Sequence, residues 1–187
     1  MTAYVNGNHF VHGIESVGVT VDPHEDMWRQ FDGIGEGLFA SCCTAKLFDM
    51  YGDRCKAFHF SDDDNSGLCA KGGGTSASSM HMIAFALGYG EIHYFGCEGS
   101  YEDKTHGYDY EDPGPWVIIK ANGKDYKTKP YLEMQTVFLS TVMREFPEAF
   151  KNRSGGLLDA MIKDQDWTIV DCHNELKPFL TDFERAA

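Results

Sequence analysis

The sequence predicts an α/β protein: a three-layer sandwich on a mainly parallel sheet, with a β-hairpin inserted late in the chain. Three observations predict it. Short strand-like segments alternate with helix-like ones. A helix with a glycine-rich entry occupies the middle, residues 75–87. Asn122-Gly123 stands between two β-prone segments, the strongest short hairpin signal. The 187 residues amount to one domain's worth, so a single domain over residues 1–187 is expected.

In chain order, residues 14–21 read as a strand in which Val17, Val19 and Val21 alternate. Asp22-Pro23-His24-Glu25 reads as a helix start, with Asp22 as N-cap and Pro23 in the first turn. That short helix passes Trp28 and Phe31 and stops at Gly33 and Gly35. Residues 37–41 are a strand, 44–51 a helix closed by Gly52, 56–60 a strand and 61–74 a polar loop. In the helix over 75–87, Met80, Ile83, Ala84 and Leu87 share a face and Met82 and Phe85 lie on the other, which predicts burial on more than one side. Gly88 supplies its stop.

A strand over 91–95 leads into a long loop, 96–115, rich in acids and tyrosines. The hairpin strands are 116–120 and 124–128. Residues 131–146 form an amphipathic helix with Leu132, Leu139, Val142, Met143 and Phe146 inward. Ser154-Gly155-Gly156 opens another helix, and 167–170 is the last strand. His81 and His93 fall inside regular elements and read as packed core histidines.

Composition narrows the function. With 42% hydrophobic and 24% charged residues the chain is not a disordered tail. No apolar run approaches the ~18 residues a membrane span needs. The start has neither a basic nor an apolar leader pattern, so a cytoplasmic location is expected. Lys and Arg number 16 against 29 Asp and Glu, a formal charge of −13. That field repels polyanions, so neither nucleic acid nor membrane is an expected partner, although a local basic spot can hold one phosphate. The six cysteines, Cys42, Cys43, Cys55, Cys69, Cys97 and Cys172, include no C-x-x-C pair and are read as reduced thiols packed as small hydrophobes.

In a parallel sheet, ligands bind beyond the carboxyl ends of the strands. Three loops there carry chemistry: the one from Asp22, residues 61–74, and residues 96–110. Gly72-Gly73-Gly74-Thr75-Ser76 precedes the central helix, where free amides, the positive dipole end and two hydroxyls suit a phosphate. It matches neither G-x-G-x-x-G nor the Walker pattern, and an ordinary N-cap after a glycine turn is the alternative. Asp62-Asp63-Asp64 ends a strand as a D-x-D, like the metal motif of glycosyltransferases; a solvated acidic loop is the alternative. The run from Asp62 starts like an EF-hand loop, but its position twelve is Gly73 instead of Glu, which argues against calcium. Asp22, Asp62, Asp64 and Glu98 are the candidate Mg²⁺ ligands. Asp103, Lys104 and His106 are the candidate catalytic groups, with Lys104 able to neutralise a phosphate and His106 able to exchange a proton near pH 7.

The stretch from Gly73 to Glu98, Gly-Gly-Thr-Ser-Ala-Ser-Ser-Met-His-Met-Ile-Ala-Phe-Ala-Leu-Gly-Tyr-Gly-Glu-Ile-His-Tyr-Phe-Gly-Cys-Glu, resembles the family of archaeal 6-hydroxymethylpterin diphosphokinases and Maf flagellin glycosyltransferases. A similar segment occurs in Rossmann-like bacterial sialyltransferases. The likeness extends through Tyr101-Glu-Asp-Lys-Thr-His106, a hairpin ending in Thr128, and Asn152-Arg-Ser-Gly-Gly-Leu-Leu158. It implies a Rossmann-like fold and a nucleotide-handling transferase with phosphates near Gly73 to Ser76, joined by Thr128 and Ser154. Two departures stand out. The family's preceding strand and Gly-Pro-Ser-like turn have no room before Val17, and Gly96-Cys97-Glu98 replaces Gly-x-Asp. A member so shortened has lost catalysis, changed substrate or completes its site with a second copy. The expected ligand is a nucleotide or nucleotide sugar. Glycosyl transfer is favoured by Asp62 to Asp64 and the lack of a dedicated ATP loop; pyrophosphoryl transfer from ATP and non-catalytic binding are the alternatives.

Overall fold

A computed structural model of the chain describes residues 3–5, 17–31, 35–59, 75–101 and 114–173. It is a mixed α/β protein with parallel and antiparallel sheets, in two compact units, Met1–Tyr89 and Gly90–Ala187. Among the described residues no helix is long and apolar enough to cross a membrane.

The first unit is built on a four-stranded sheet of β1 (Ala3–Val5), β2 (Val17–Thr20), β3 (Glu36–Ala40) and β4 (Cys55–Phe58). Spatial order follows chain order and every pairing is parallel, with Val17 opposite both Ala3 and Glu36. Strand β1 pairs parallel with β2 in the stretch before Val17, where the sequence leaves no room for the family's extra strand and Gly-Pro-Ser-like turn together; residues 6–16 lie outside the described residues. Buried residues run without a break from Gly37 to Ala40, the pattern of a parallel strand covered on both faces. Phe39 anchors the core, with edge-to-face contacts to Phe31, Phe48 and Tyr51 at ring separations of 5.5, 5.9 and 5.2 Å. Its ring folds back over Gly37, where a β-carbon would lie 2.2 Å from the ring.

Between β2 and β3 runs a 3₁₀ turn, Glu25–Gln30. Its N-cap is His24, whose side chain accepts from the Asp26 amide, and not Asp22 as the sequence suggests. Asp22 instead accepts from the His24 amide two residues on, closing a local turn. Helix α1 (Ala45–Tyr51) buries Leu47 and Tyr51, one turn apart, and ends at Gly52 with φ +51°. Helix α2 (Ser76–Ala86) sends Met80 and Ile83 into the core. Phe85 and Leu87 are exposed, which corrects the expected burial at this end of the helix.

The second unit holds β5 (Ile92–Tyr94) paired parallel with β8 (Phe150–Asn152), and an antiparallel sheet in the order β7 (Lys124–Thr128), β6 (Val117–Ala121), β9 (Thr168–Cys172). The expected hairpin is present, with Asn122 at φ +49° and Gly123 at +74°, the backbone a tight two-residue turn demands. Helices α3 (Pro130–Glu145) and α4 (Gly156–Lys163) pack together. Leu157, Ala160 and Met161 bury against the antiparallel sheet, while Leu158 joins Tyr94, Leu139, Met143 and Phe150 in a second cluster. Phe146, expected to point inward, is exposed just past the end of α3, where the helix has ceased to impose its periodicity.

Candidate functional site

The carboxyl end of β2 meets the start of α2. Ser76, first residue of α2, accepts a hydrogen bond from the Val21 amide at 3.1 Å, which fixes the helix N-terminus beside the end of β2. A capping box closes that turn. The Thr75 hydroxyl accepts from the Ser78 amide, and the Ser78 hydroxyl accepts from the Thr75 amide. Ser78 and Ser79, both fully buried, also donate to the Thr75 carbonyl. Both hydroxyl oxygens that sequence assigns to phosphate accept from backbone amides of the fold. The donors open to an anion here are the Ser76 O–H and the first-turn amides of Ser76 and Ala77, which have no carbonyl partner inside the helix. Gly72, Gly73 and Gly74 lie outside the described residues.

Asp22 extends this edge. It is half-buried, and its own amide is held by the Thr20 hydroxyl at 3.1 Å. Cys42 and Cys43 follow β3 and turn back toward β2: Cys42 donates to the Val21 carbonyl at 3.3 Å and Cys43 to the Thr20 carbonyl at 3.5 Å. Burial, with Cys42 and Asp22 nearby, pushes the Cys43 thiol up to about 12. Asp62 and Asp64 lie outside the described residues.

In the second unit, the turn after β5 is joined to distant segments by hydroxyls. Thr128 donates to the Gly99 carbonyl at 2.6 Å. Ser154 accepts from the Cys97 amide at 2.9 Å, Ser100 accepts from the Leu157 amide at 3.2 Å, and the Leu158 amide donates to the Glu98 carbonyl at 2.9 Å. Thr128 and Ser154, which the family resemblance places at a nucleotide, here tie backbone to backbone. Burial pushes the Cys97 thiol up to about 11, the opposite of what a nucleophile needs. Glu98 is exposed, and among the described residues its carboxylate has no hydrogen-bond or ion-pair partner. Asp103, Lys104 and His106 lie outside the described residues.

Sequence reasoning missed Lys129, which is 2% exposed with its ammonium donating to the Gly114 carbonyl at 2.5 Å. Nothing in a Lys-Pro pair at a helix start separates it from a solvated lysine. The expectation for His81 holds: it is buried, and burial lowers its pKa. His93 is the correction. It is exposed, bonded to Glu91 at 2.5 Å and to the Arg153 Nε at 3.2 Å, because its residue alternates away from Tyr94, which faces the core.

Among the described residues no three His, Cys, Asp or Glu side chains gather around a common point. Mg²⁺ does not require that, since it commonly takes one or two carboxylates with waters and substrate phosphate. Asp22 and Glu98 are each compatible with such a donor set. No protein-family model, curated protein or solved structure matches the chain.

Proposed function

We propose that this chain is a nucleotide-dependent transferase whose donor is a nucleotide-activated sugar, bound by its phosphates at the carboxyl edge of β2 and β3. The observation that supports it is the docking of the α2 N-terminus onto the end of β2 through Ser76 and Val21, in an all-parallel sheet. Helix amides and dipole at that point favour a phosphate, and they favour it more as negative charge grows on a leaving nucleotide. A Rossmann-like three-layer arrangement, a cytoplasmic setting and a site completed by a second copy belong to the same reading. Mg²⁺, when bound, would offset phosphate charge, with Asp22 as the carboxylate that this strand edge offers. Asp103, Lys104 and His106 enter on sequence grounds alone, as residue types: a histidine can take an acceptor hydroxyl's proton and a lysine can neutralise phosphate charge.

A thermal-shift series over nucleotides and nucleotide sugars, with and without Mg²⁺, followed by transfer assays, tests the reading. A nucleotide sugar is expected to stabilise the protein, and Gly74→Val to weaken its binding more than tenfold, about 1.4 kcal/mol. Transfer from ATP instead of a sugar donor would move the protein to diphosphokinase chemistry. Binding without turnover would make it a binder, and no stabilisation by any nucleotide would overturn the proposal.

A further inference from the structure

Strands β5 and β8 turn Tyr94 and Phe150 into the core, and their alternation carries His93 and its ladder partner Lys151 to the opposite face. The pairing runs on to Arg153, whose amide donates to the Tyr94 carbonyl at 2.8 Å and so sets Arg153 alongside Phe95. On this face three side chains form a row. The Arg153 Nε–H donates to His93 Nδ1 at 3.2 Å, and His93 Nε2 lies 2.5 Å from Glu91 Oε1. A guanidinium has donors only, so Nδ1 is the acceptor and the imidazole proton sits on Nε2, donated to Glu91. Glu91 thereby fixes the tautomer and tilt of His93, and His93 fixes the plane of the guanidinium. An exposed row of this kind adds little stability and costs side-chain entropy. Its consequence is orientation: with Nε taken, the two Nη groups of exposed Arg153 remain as a planar fork.

We propose that this face binds a small ring-bearing oxyanion, its phosphate or carboxylate in the Arg153 fork and its ring against Phe95. A held guanidinium matches the two oxygens of either group and loses less freedom on binding than a loose one. Lys151, anchored on the Pro147 carbonyl at 2.7 Å, keeps further ammonium hydrogens and adds a second positive charge. Two cations against the single carboxylate of Glu91 make a local positive spot on a chain whose formal charge is −13. Phe95 is 71% exposed, the most open of the large hydrophobic side chains described, and offers a flat apolar surface beside the fork. The site is built entirely from residues of the second unit and does not rest on the nucleotide reading.

Nuclear magnetic resonance titration of the full chain with inorganic phosphate, phenyl phosphate and benzoate, at fixed pH and ionic strength, tests it. Saturable shifts are expected at the Arg153 Nε–H and at the amides of residues 92–95 and 150–154. Phenyl phosphate or benzoate is expected to bind more tightly than inorganic phosphate, and the tighter of the two identifies the oxyanion. Arg153→Lys, which loses the fork and keeps the charge, is expected to bind about tenfold more weakly. Phe95→Ser is expected to erase the preference for a ring, and Arg29→Lys in the first unit to bind as the parent does. His93→Phe is expected to weaken binding, and His93→Asn, whose carbonyl oxygen can accept from the Arg153 Nε, to restore most of it. Parent-like affinity in a folded Arg153→Lys would overturn the proposal, as would no saturable shift with any probe. Equal affinity for inorganic phosphate and both ring-bearing probes would overturn it too.

Discussion

In residues 1–89 the hydroxyls of Ser78 and Ser79 are satisfied within their own helical turn, by Thr75. In residues 90–187 those of Thr128, Ser100 and Ser154 reach 29 to 57 residues along the chain to hold the turn after β5. Both sets look alike in sequence. A hydroxyl bonded locally needs no other segment, as at Ser78 and Ser79, although Ser76 beside them is bonded to the Val21 amide 55 residues away. A hydroxyl bonded to a distant backbone is a joint, and its loss leaves a buried polar partner unpaired. Loss of a hydroxyl is therefore expected to cost less at Ser79 than at Thr128, Ser100 or Ser154.

Glycine substitution gives the largest contrast. Gly156 has φ +66°, and a β-carbon there would sit 2.7 Å from the Glu98 Cβ and 2.8 Å from the Glu98 carbonyl oxygen. Gly156→Ala is expected to lose about 2–4 kcal/mol from strain and clash. Gly88, at φ +87°, faces open space, so Gly88→Ala is expected to lose only about 1 kcal/mol. Denaturant unfolding of both variants measures this; equal losses would show that the turn after β5 is as tolerant as the end of α2.

Thr128→Val comes next. It removes the donor to the Gly99 carbonyl, and a loss of about 1–3 kcal/mol is expected with nucleotide affinity unchanged. A folded, fully stable variant that no longer binds nucleotide would return Thr128 to the binding site and erase the distinction between the units.

The smallest effect is in pH. Burial lowers the pKa of His81 in α2, so the unfolded chain binds a proton first as pH falls. The stabilising contribution is complete above the usual histidine value of about 6.5 and declines below it. Burial raises the pKa of Glu133 in α3, so there the unfolded chain ionises first and stability declines as pH rises above about 4.5. Amide-exchange protection of residues 76–86 and 130–145 should follow opposite slopes, flattened by His81→Gln and Glu133→Gln respectively. Slopes of the same sign would refute the assignment.

The sequence by itself determined the elements whose signals are local. The hairpin at Asn122-Gly123, the stop at Gly52 and the cap at Thr75 depend on dihedral angles and hydrogen bonds that span a few residues. Four turns of periodic pattern likewise sufficed for α3. Tertiary structure alone decided the rest. Strands β1 and β8 have three residues each, too few to show a period, and exist because β2 and β5 offer them a parallel edge. Exposure of Phe146 and His93, burial of Lys129 and the convergence of Cys42 with Cys43 on β2 were equally invisible. Each depends on a partner or a covering surface tens of residues away, and the identity of a residue carries no record of which distant segment will cover it.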